Sequence, residues 1–259
     1  MENIIIGGLS GMISRTATAP LELVKIQQQN KFVPYSNVKD VIRKEGLRGL
    51  WKGNLSNCVR IFPQMGINYG MYNIAKNIID KTSIKNDNLK NFLSGSMAGT
   101  IAMTAVYPLE NIRSRLSLQT NKNHYSGIVD VFKKTPLRTL YYGLRMSIYG
   151  YTPYNGLSFM FYENMKKREY NKLVSGGLAG VFAVSFTYPT DLIRRRLQIQ
   201  GLDPSVPKYN GIVDCVKKIY KYEGIRGFYR GLIPCYIKIF PSLGIQFYML
   251  DFLKNNMKL

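Results

Sequence analysis

Acidic side chains are scarce in this chain: 15 Asp and Glu stand against 36 Lys and Arg in 259 residues, a formal charge of +21. Such an excess calls for an anionic partner, whether nucleic acid, a membrane surface or a polyanionic solute. Cysteine is nearly absent as well. Cys58, Cys215 and Cys235 are an odd number without CxxC spacing, which argues against a disulfide framework or a metal site and leaves them as packing residues. The one histidine, His124, stands beside a tyrosine in a polar stretch and reads as a surface residue. With no nucleophile-base pair, metal cluster or phosphate loop in view, an enzyme is the least supported class and no metal is expected. A cleavable presequence is not expected either, because Gly7 already belongs to the first motif described below.

Long uncharged runs are few, and the mean hydropathy is slightly negative at −0.13. An average misleads where charge is segregated, however. Residues 91–109 and 173–190 carry no charged side chain over 19 and 18 positions, long enough for transmembrane helices. Residues 146–162 and 61–75 are uncharged over 17 and 15, a length that a soluble core helix could also show.

What the chain does have is an internal repeat. Pro20-Leu-Glu22-Leu-Val-Lys25, Pro108-Leu-Glu110-Asn-Ile-Arg113 and Pro189-Thr-Asp191-Leu-Ile-Arg194 share one form. Each closes an apolar segment that opens on a Gly-xxx-Gly step, at Gly7/Gly11, Gly95/Gly99 and Gly176/Gly180, and the second glycine always lies nine residues before the proline. Proline intervals of 88 and 81 residues indicate a triplication into units 1–86, 87–170 and 171–259 that form one structural body. Each unit reads as a long helix kinked at its proline, a short amphipathic helix lying at an interface, a glycine turn and a second long helix. The predicted fold is therefore an all-α membrane protein of six transmembrane helices around a central cavity, with three short amphipathic helices on one side. An even number of crossings puts both termini on one side.

Charged side chains in a bilayer segment cost roughly 2.5–3.5 kcal/mol on insertion scales, so they face a bundle interior and pair. Acid and base three apart lie near one face of a helix. Three such helices about a threefold axis let each acid meet a base of another repeat: Glu22 with Arg113, Glu110 with Arg194 and Asp191 with Lys25, a ring across the bottom of the cavity. The alternative is three helix ends with ordinary pairs inside each helix, which leaves the registered repetition unexplained.

The motif, followed by Glu45-Gly46 and Trp51-Lys52-Gly53 in repeat 1 and by Glu223-Gly224 and Tyr229-Arg230-Gly231 in repeat 3, resembles the mitochondrial carrier family over the whole chain. Repeat 2 departs from the pattern, with Thr135-Pro136 for the acid-glycine step and Tyr142 where a base is usual. The resemblance implies a monomeric carrier of the mitochondrial inner membrane that alternates between matrix-closed and cytoplasm-closed states, with its short helices on the matrix side, membrane lipid around it and cardiolipin as a bound lipid, but no cofactor. It implies glutamine braces beneath the matrix ring at Gln29 and Gln198. It also implies a cytoplasmic ring, read here as Tyr162-Glu163 with Lys166 and Leu250-Asp251 with Lys254. In repeat 1 an amide replaces the acid at Asn73, before Lys76.

A substrate held between two such rings must bind near the midplane. Aligned on Pro63, Pro153 and Pro241, the even helices present Arg60, Gly150 and Lys238 three residues earlier, and Gln64, Asn68 and Tyr154 on the same faces. Two bases, the glycine with Tyr151 beside it, and Arg15 in the first helix suit a phosphate-bearing ligand with a planar ring. Each could instead only solvate the pore. The tracts Ser14-Arg-Thr-Ala-Thr-Ala-Pro20, NLSNCVRIFP (residues 54–63) and Arg194-Arg-Arg-Leu-Gln198 are similar to the family branch that moves adenine nucleotides, ATP-Mg/phosphate or coenzyme A. Another anionic solute, such as a deoxynucleotide or a keto acid, stays open. A soluble nucleic-acid-binding repeat protein would explain the charge but not the uncharged runs ending in Pro-x-acid, so nucleic acid is not the expected partner.

Overall fold

A computed structural model describes residues 2–30, 38–84, 86–119, 125–166, 172–202 and 206–256; His124 lies outside this set. Among the described residues the chain is helical throughout. Repeat 1 comprises α1 (Glu2–Ala17), α2 (Ala19–Gln29), α3 (Val38–Glu45), a 3-10 turn (Leu47–Trp51) and α4 (Asn54–Asp80). Repeat 2 comprises α5 (Asp87–Leu118), α6 (Ile128–Lys134), the single turn α7 (Leu137–Leu140) and α8 (Leu144–Lys166). Repeat 3 comprises α9 (Lys172–Ile199), α10 (Ile212–Gly227) and α11 (Leu232–Asn256).

The expectation of one kinked helix at Pro20 needs correction. The first helix is broken into α1 and α2 at Thr18, whereas Pro108 and Pro189 lie inside the continuous α5 and α9. Pro20 has no N–H for the Thr16 carbonyl. The indole N–H of Trp51, from the turn of the same repeat, donates to that carbonyl at 2.9 Å, and Thr18 Oγ1 turns back onto the Ser14 carbonyl at 2.8 Å. With these substitute bonds the break leaves no buried polar orphan at the Thr16 carbonyl.

The long helices close on themselves. α4 packs on α5, α5 on α8, α8 on α9, α9 on α11, and α11 on α1, which completes the circle through α4. At one end α2, α5 and α9 also touch one another, so the bundle narrows there. Beneath that end sit buried apolar clusters, one joining Ile26, Ile112, Leu116, Val131 and Leu140, the other Leu192, Leu197, Cys215 and Ile219. All three cysteines are free and buried, and burial pushes the Cys215 thiol up to about 12. The outer face carries exposed Leu55, Phe186 and Ile233. Among the described residues α5 alone is long and apolar enough, by length and composition, to cross a membrane.

The repeats are locked by three equivalent glycines. Gly53, Gly143 and Gly231 adopt φ of 74°, 88° and 80°, in the left-handed region that side chains resist. A β-carbon on them would fall 2.9, 2.8 and 2.9 Å from the carbonyl oxygens of Arg113, Arg194 and Lys25 respectively. Each turn thus presses on the backbone of a ring base belonging to another repeat. Gly231→Ala combines left-handed strain with a backbone clash, so it is expected to destabilise the fold by about 1–3 kcal/mol. Gly224→Ala, at φ 65° with open space around it, isolates the strain. Thermal unfolding of the two purified variants tests this, and equal shifts would show that the close approach contributes nothing.

Candidate substrate cavity and charge ring

Where α2, α5 and α9 converge, the three pairs expected from the spacing meet. Lys25 Nζ lies 2.8 Å from Asp191, Arg113 Nη2 3.4 Å from Glu22, and Arg194 Nη2 2.8 Å from Glu110. Every pair joins two different repeats. The helical register explains why: residues on one face of each helix point to the common axis, and the nearest opposite charge is on the neighbour. Arg194 also lies 3.7 Å from Asp191 on its own helix, a weaker contact.

The acids hold more than these partners. Glu22 also takes Lys238 at 2.5 Å, and Glu110 takes Arg60. The two bases read from sequence as substrate contacts are therefore already paired with ring acids. Arg195, which the repeat motif does not single out, reaches both Glu110 at 3.2 Å and Glu22 at 3.7 Å, and its guanidinium donates to Ser114 at 2.6 Å. Asn57 also escaped the sequence reading. Its Oδ1 accepts from Arg15, Arg60 and Arg113 at 3.2, 3.3 and 3.1 Å, so one neutral oxygen gathers three guanidinium groups. Its position three residues before Arg60, one turn back along α4, was the available signal.

The two glutamines are buried but act differently. Gln29 Nε2 donates to Asp191 and to the Tyr188 hydroxyl, both at 3.1 Å, beneath the Lys25–Asp191 pair. Gln198 makes no hydrogen bond to a ring acid among the described residues. Its Oε1 accepts from Ser114 and Arg195 at 2.8 and 3.2 Å, and its amide donates to the Tyr107 hydroxyl at 2.9 Å. Arg195 takes up the acceptor that the simple repeat pattern would assign to the ring.

Above the ring lies a cavity of about 420 Å³ whose walls include Arg15, Gln64, Tyr151, Ser242 and Gln246. Gly150 and Tyr154 instead line an adjoining space of about 220 Å³ with Tyr151, Lys25 and Thr187. Gly150 also packs closely on α9, since a β-carbon there would strike Thr190 Oγ1, so the glycine makes room for a helix as well as bordering this space. Tyr151 likewise leans on Gly99 of α5. Asn68 is exposed and lines neither space.

At the other end, Lys76, Asp251 and Lys254 are exposed and make no ion pair with a described residue. The side chains of Glu163 and Lys166 lie outside the described set. The bundle is thus drawn together by charge at the end of the proline motifs, and among the described residues no matching ring closes the opposite end.

Breaking a buried ion pair from one side leaves the other charge uncompensated and costs about 3–5 kcal/mol. Glu110→Gln strands Arg60, Arg194 and Arg195, whereas Asp191→Asn leaves chiefly Lys25 in a more open site. The first change is expected to lower the unfolding temperature more than the second. Equal shifts in the two melting curves would mean that the shared contacts at Glu110 carry no weight.

Known proteins match this chain along nearly its whole length. The model of the family described as "Mitochondrial carrier protein" matches residues 1–83, 85–171 and 167–259. A mitochondrial adenine nucleotide transporter of Arabidopsis thaliana is 34% identical over 98% of this chain and 86% of its own length. A mitochondrial coenzyme A transporter of Danio rerio is 34% identical over 97% of this chain and 85% of its own. The mitochondrial adenyl nucleotide antiporter of Homo sapiens is 31% identical over 98% of this chain, which spans 58% of that protein. With all three repeats matched and identities of 34% over nearly the full length, the chain belongs to the mitochondrial carrier protein family, transporters of the mitochondrial inner membrane.

Proposed function

We propose that this protein is an antiporter of adenine-nucleotide-type anions (ATP, ADP or AMP, ATP-Mg against phosphate, or coenzyme A) that works by alternating access. In this reading the six long helical units, counting α1 with α2, cross the inner membrane, the narrow end faces the matrix, and the protein acts as a monomer because one chain closes the whole cavity. It is a secondary transporter and not an enzyme. No resident cofactor is called for, and an acidic membrane lipid such as cardiolipin is its non-protein partner.

The observation that carries the reading is the charge balance of the cavity. Seven bases line it (Arg15, Lys25, Arg60, Arg113, Arg194, Arg195 and Lys238) against three acids, Glu22, Glu110 and Asp191. The four unmatched positive charges suit a ligand with several phosphates. The Nε atoms of Arg60, Arg194 and Arg195 are buried without a hydrogen-bond partner among the described residues, so acceptors are wanted at this floor. Relatives named for adenine nucleotides and for coenzyme A support the same class.

The mechanism follows from the shared acids. A phosphate that draws Arg60 from Glu110 and Lys238 from Glu22 gains charge-assisted hydrogen bonds and removes one cation from each ring acid. Substrate binding therefore weakens the matrix ring by competing for its bases, and the favoured state shifts only by the difference in affinity between the two states. Closure at the cytoplasmic side engages Lys76, Glu163, Lys166, Asp251 and Lys254, with one incomplete pair where Asn73 replaces an acid.

Reconstituted protein in liposomes loaded with ATP is expected to take up a labelled adenine nucleotide or coenzyme A only when internal counter-substrate is present. Arg60→Ala and Lys238→Ala should each lower that uptake by roughly tenfold or more, the worth of a hydrogen bond to a charged group. Exchange of a non-phosphorylated solute alone would overturn the substrate class while leaving the carrier architecture intact.

A further inference from the structure

Aligned on Pro63, Pro153 and Pro241, the three even helices differ at the places where they close on the odd helix of their own repeat. On α1, β-carbons at Gly7 and Gly8 would strike Met65 and Phe62 of α4, and on α9 one at Gly177 would strike Phe240 of α11. Large apolar side chains thus seal the helix pairs of repeats 1 and 3. In repeat 2 these places hold smaller or polar residues: Thr152 stands for Phe62 and Phe240, and Asn155 for Met65 and Leu243.

The consequence is a cavity of about 440 Å³ among α5, α8 and α9. Because α8 packs on both α5 and α9, a space walled by all three lies on the bundle side of α8. Gly95 and Gly176 border it, and no described atom lies within 4 Å of a β-carbon built on either. A glycine inside a helix lowers helix stability relative to alanine. Close packing accounts for Gly99 and Gly177, which lie against Tyr151 and Phe240. At Gly95 and Gly176 the missing side chain leaves only room.

The lining of this space differs in kind from that of the central cavity. Among the described residues that wall it none is charged, whereas seven bases line the central cavity. The side chains of Asn155 and Ser158 make no hydrogen bond to a described residue, and Phe92 and Phe159 add aromatic surface. Tyr151 borders this space, the basic cavity and the smaller space at Gly150 and Tyr154, so the three meet at one side chain. A nucleoside polyphosphate has an anionic part and a base, and so fills two such compartments. The third suits a long uncharged extension bearing amides, which needs polar partners without charge and apolar surface between them.

We propose that the preferred substrate is a nucleotide of the coenzyme A type, whose uncharged, amide-bearing arm lies along α8 in this space while its phosphates engage the basic cavity. The inference rests on the antiporter reading above and narrows it. Asn155 and Ser158 bond the amides of the arm, and Gly95 and Gly176 give it room. The residues that tell coenzyme A from ATP therefore stand apart from the charge ring, in the one repeat whose helix pair is not sealed.

The test is counter-exchange by the reconstituted full-length protein. Labelled coenzyme A is compared with ATP and with adenosine 3′,5′-bisphosphate, which keeps the base and phosphates but lacks the arm. The wild type is expected to take up coenzyme A faster than either at the same low concentration. Asn155→Leu, which carries the residue of repeat 3, removes a hydrogen-bonding partner and should slow coenzyme A uptake by roughly threefold to tenfold. Gly95→Leu, which fills the space, should slow it further. Both variants should keep the exchange of ATP and of adenosine 3′,5′-bisphosphate, and that exchange shows that they are folded. A wild type that exchanges ATP but not coenzyme A, or variants that leave coenzyme A uptake untouched, overturns this inference and leaves the antiporter reading standing. Loss of all three substrates alike in both variants overturns it as well, because the effect is then not that of an arm site. A wild type that exchanges none of the three overturns the antiporter reading itself, and this inference with it.

Discussion

Three carboxylates at the convergence of three helices, Glu22 and Glu110 buried and Asp191 half-buried, govern this structure. A carboxylate away from water persists as an anion only with cations around it, and here those cations come from other repeats. Glu22 on α2 is held from α5, α9 and α11, and Glu110 on α5 from α4 and α9. Neutralising the acids and closing the bundle are therefore one event. The apolar clusters beneath and the turn glycines that press on the ring backbone add rigidity, but a well-packed apolar end alone would close the bundle permanently. Charge closes it in a way that another set of charges can undo.

The sharing of acids connects closure to transport. If Arg60 and Lys238 stood free in the cavity, a ligand could bind them without any effect on the ring. Because each is bonded to a ring acid, the proposed binding of phosphate and the closure of the ring draw on the same donors. The coupling needs no relay through intervening residues, since the competing groups are in direct contact. Under the proposed function the excess of bases over acids has a use: after a multiply charged ligand has taken its share, Lys25, Arg113 and Arg194 still remain to restore the ring once the ligand has left.

What was legible in the sequence follows from repetition. A residue that recurs three times in register can be placed on a threefold axis without coordinates, and so the partners Glu22–Arg113, Glu110–Arg194 and Asp191–Lys25 follow from spacing alone. Residues that occur once cannot be placed this way. Arg195 stands where the other repeats have Ile26 and Ser114, and Asn57 has no recurrent signature, yet both sit at the centre of the charge network. The depth of Arg60 and Lys238 relative to the ring depends on how far α4 and α11 slide along α5 and α2, which no intrahelical period records. Gly150 shows the same limit: a glycine signals a close approach, but not that α9 as well as the cavity lies beside it. The break at Thr18 depends on Trp51, a partner more than thirty residues away.

The unequal surroundings of the three acids then distinguish the seams of the bundle. Repeats 1 and 2, and 2 and 3, are joined by chain as well as by contact, whereas repeats 1 and 3 meet only through space. At that third seam the ring pair is Lys25–Asp191, and the Asp191 side chain is 25% exposed against 8% and 7% for Glu22 and Glu110. Asp191 has one close base and a neutral glutamine where the other two acids have additional bases. Glu22 supplies what Asp191 lacks at this seam, taking Lys238 at 2.5 Å and Arg195 at 3.7 Å from repeat 3. Polar contacts add to it: Ser14 donates to the Ser242 carbonyl at 2.7 Å, and Arg196 donates to the Gln29 carbonyl at 3.2 Å while its other nitrogens hold Glu223. The seam without a covalent link is thus the one that charge holds most, and Glu22 carries more of it than Asp191 does.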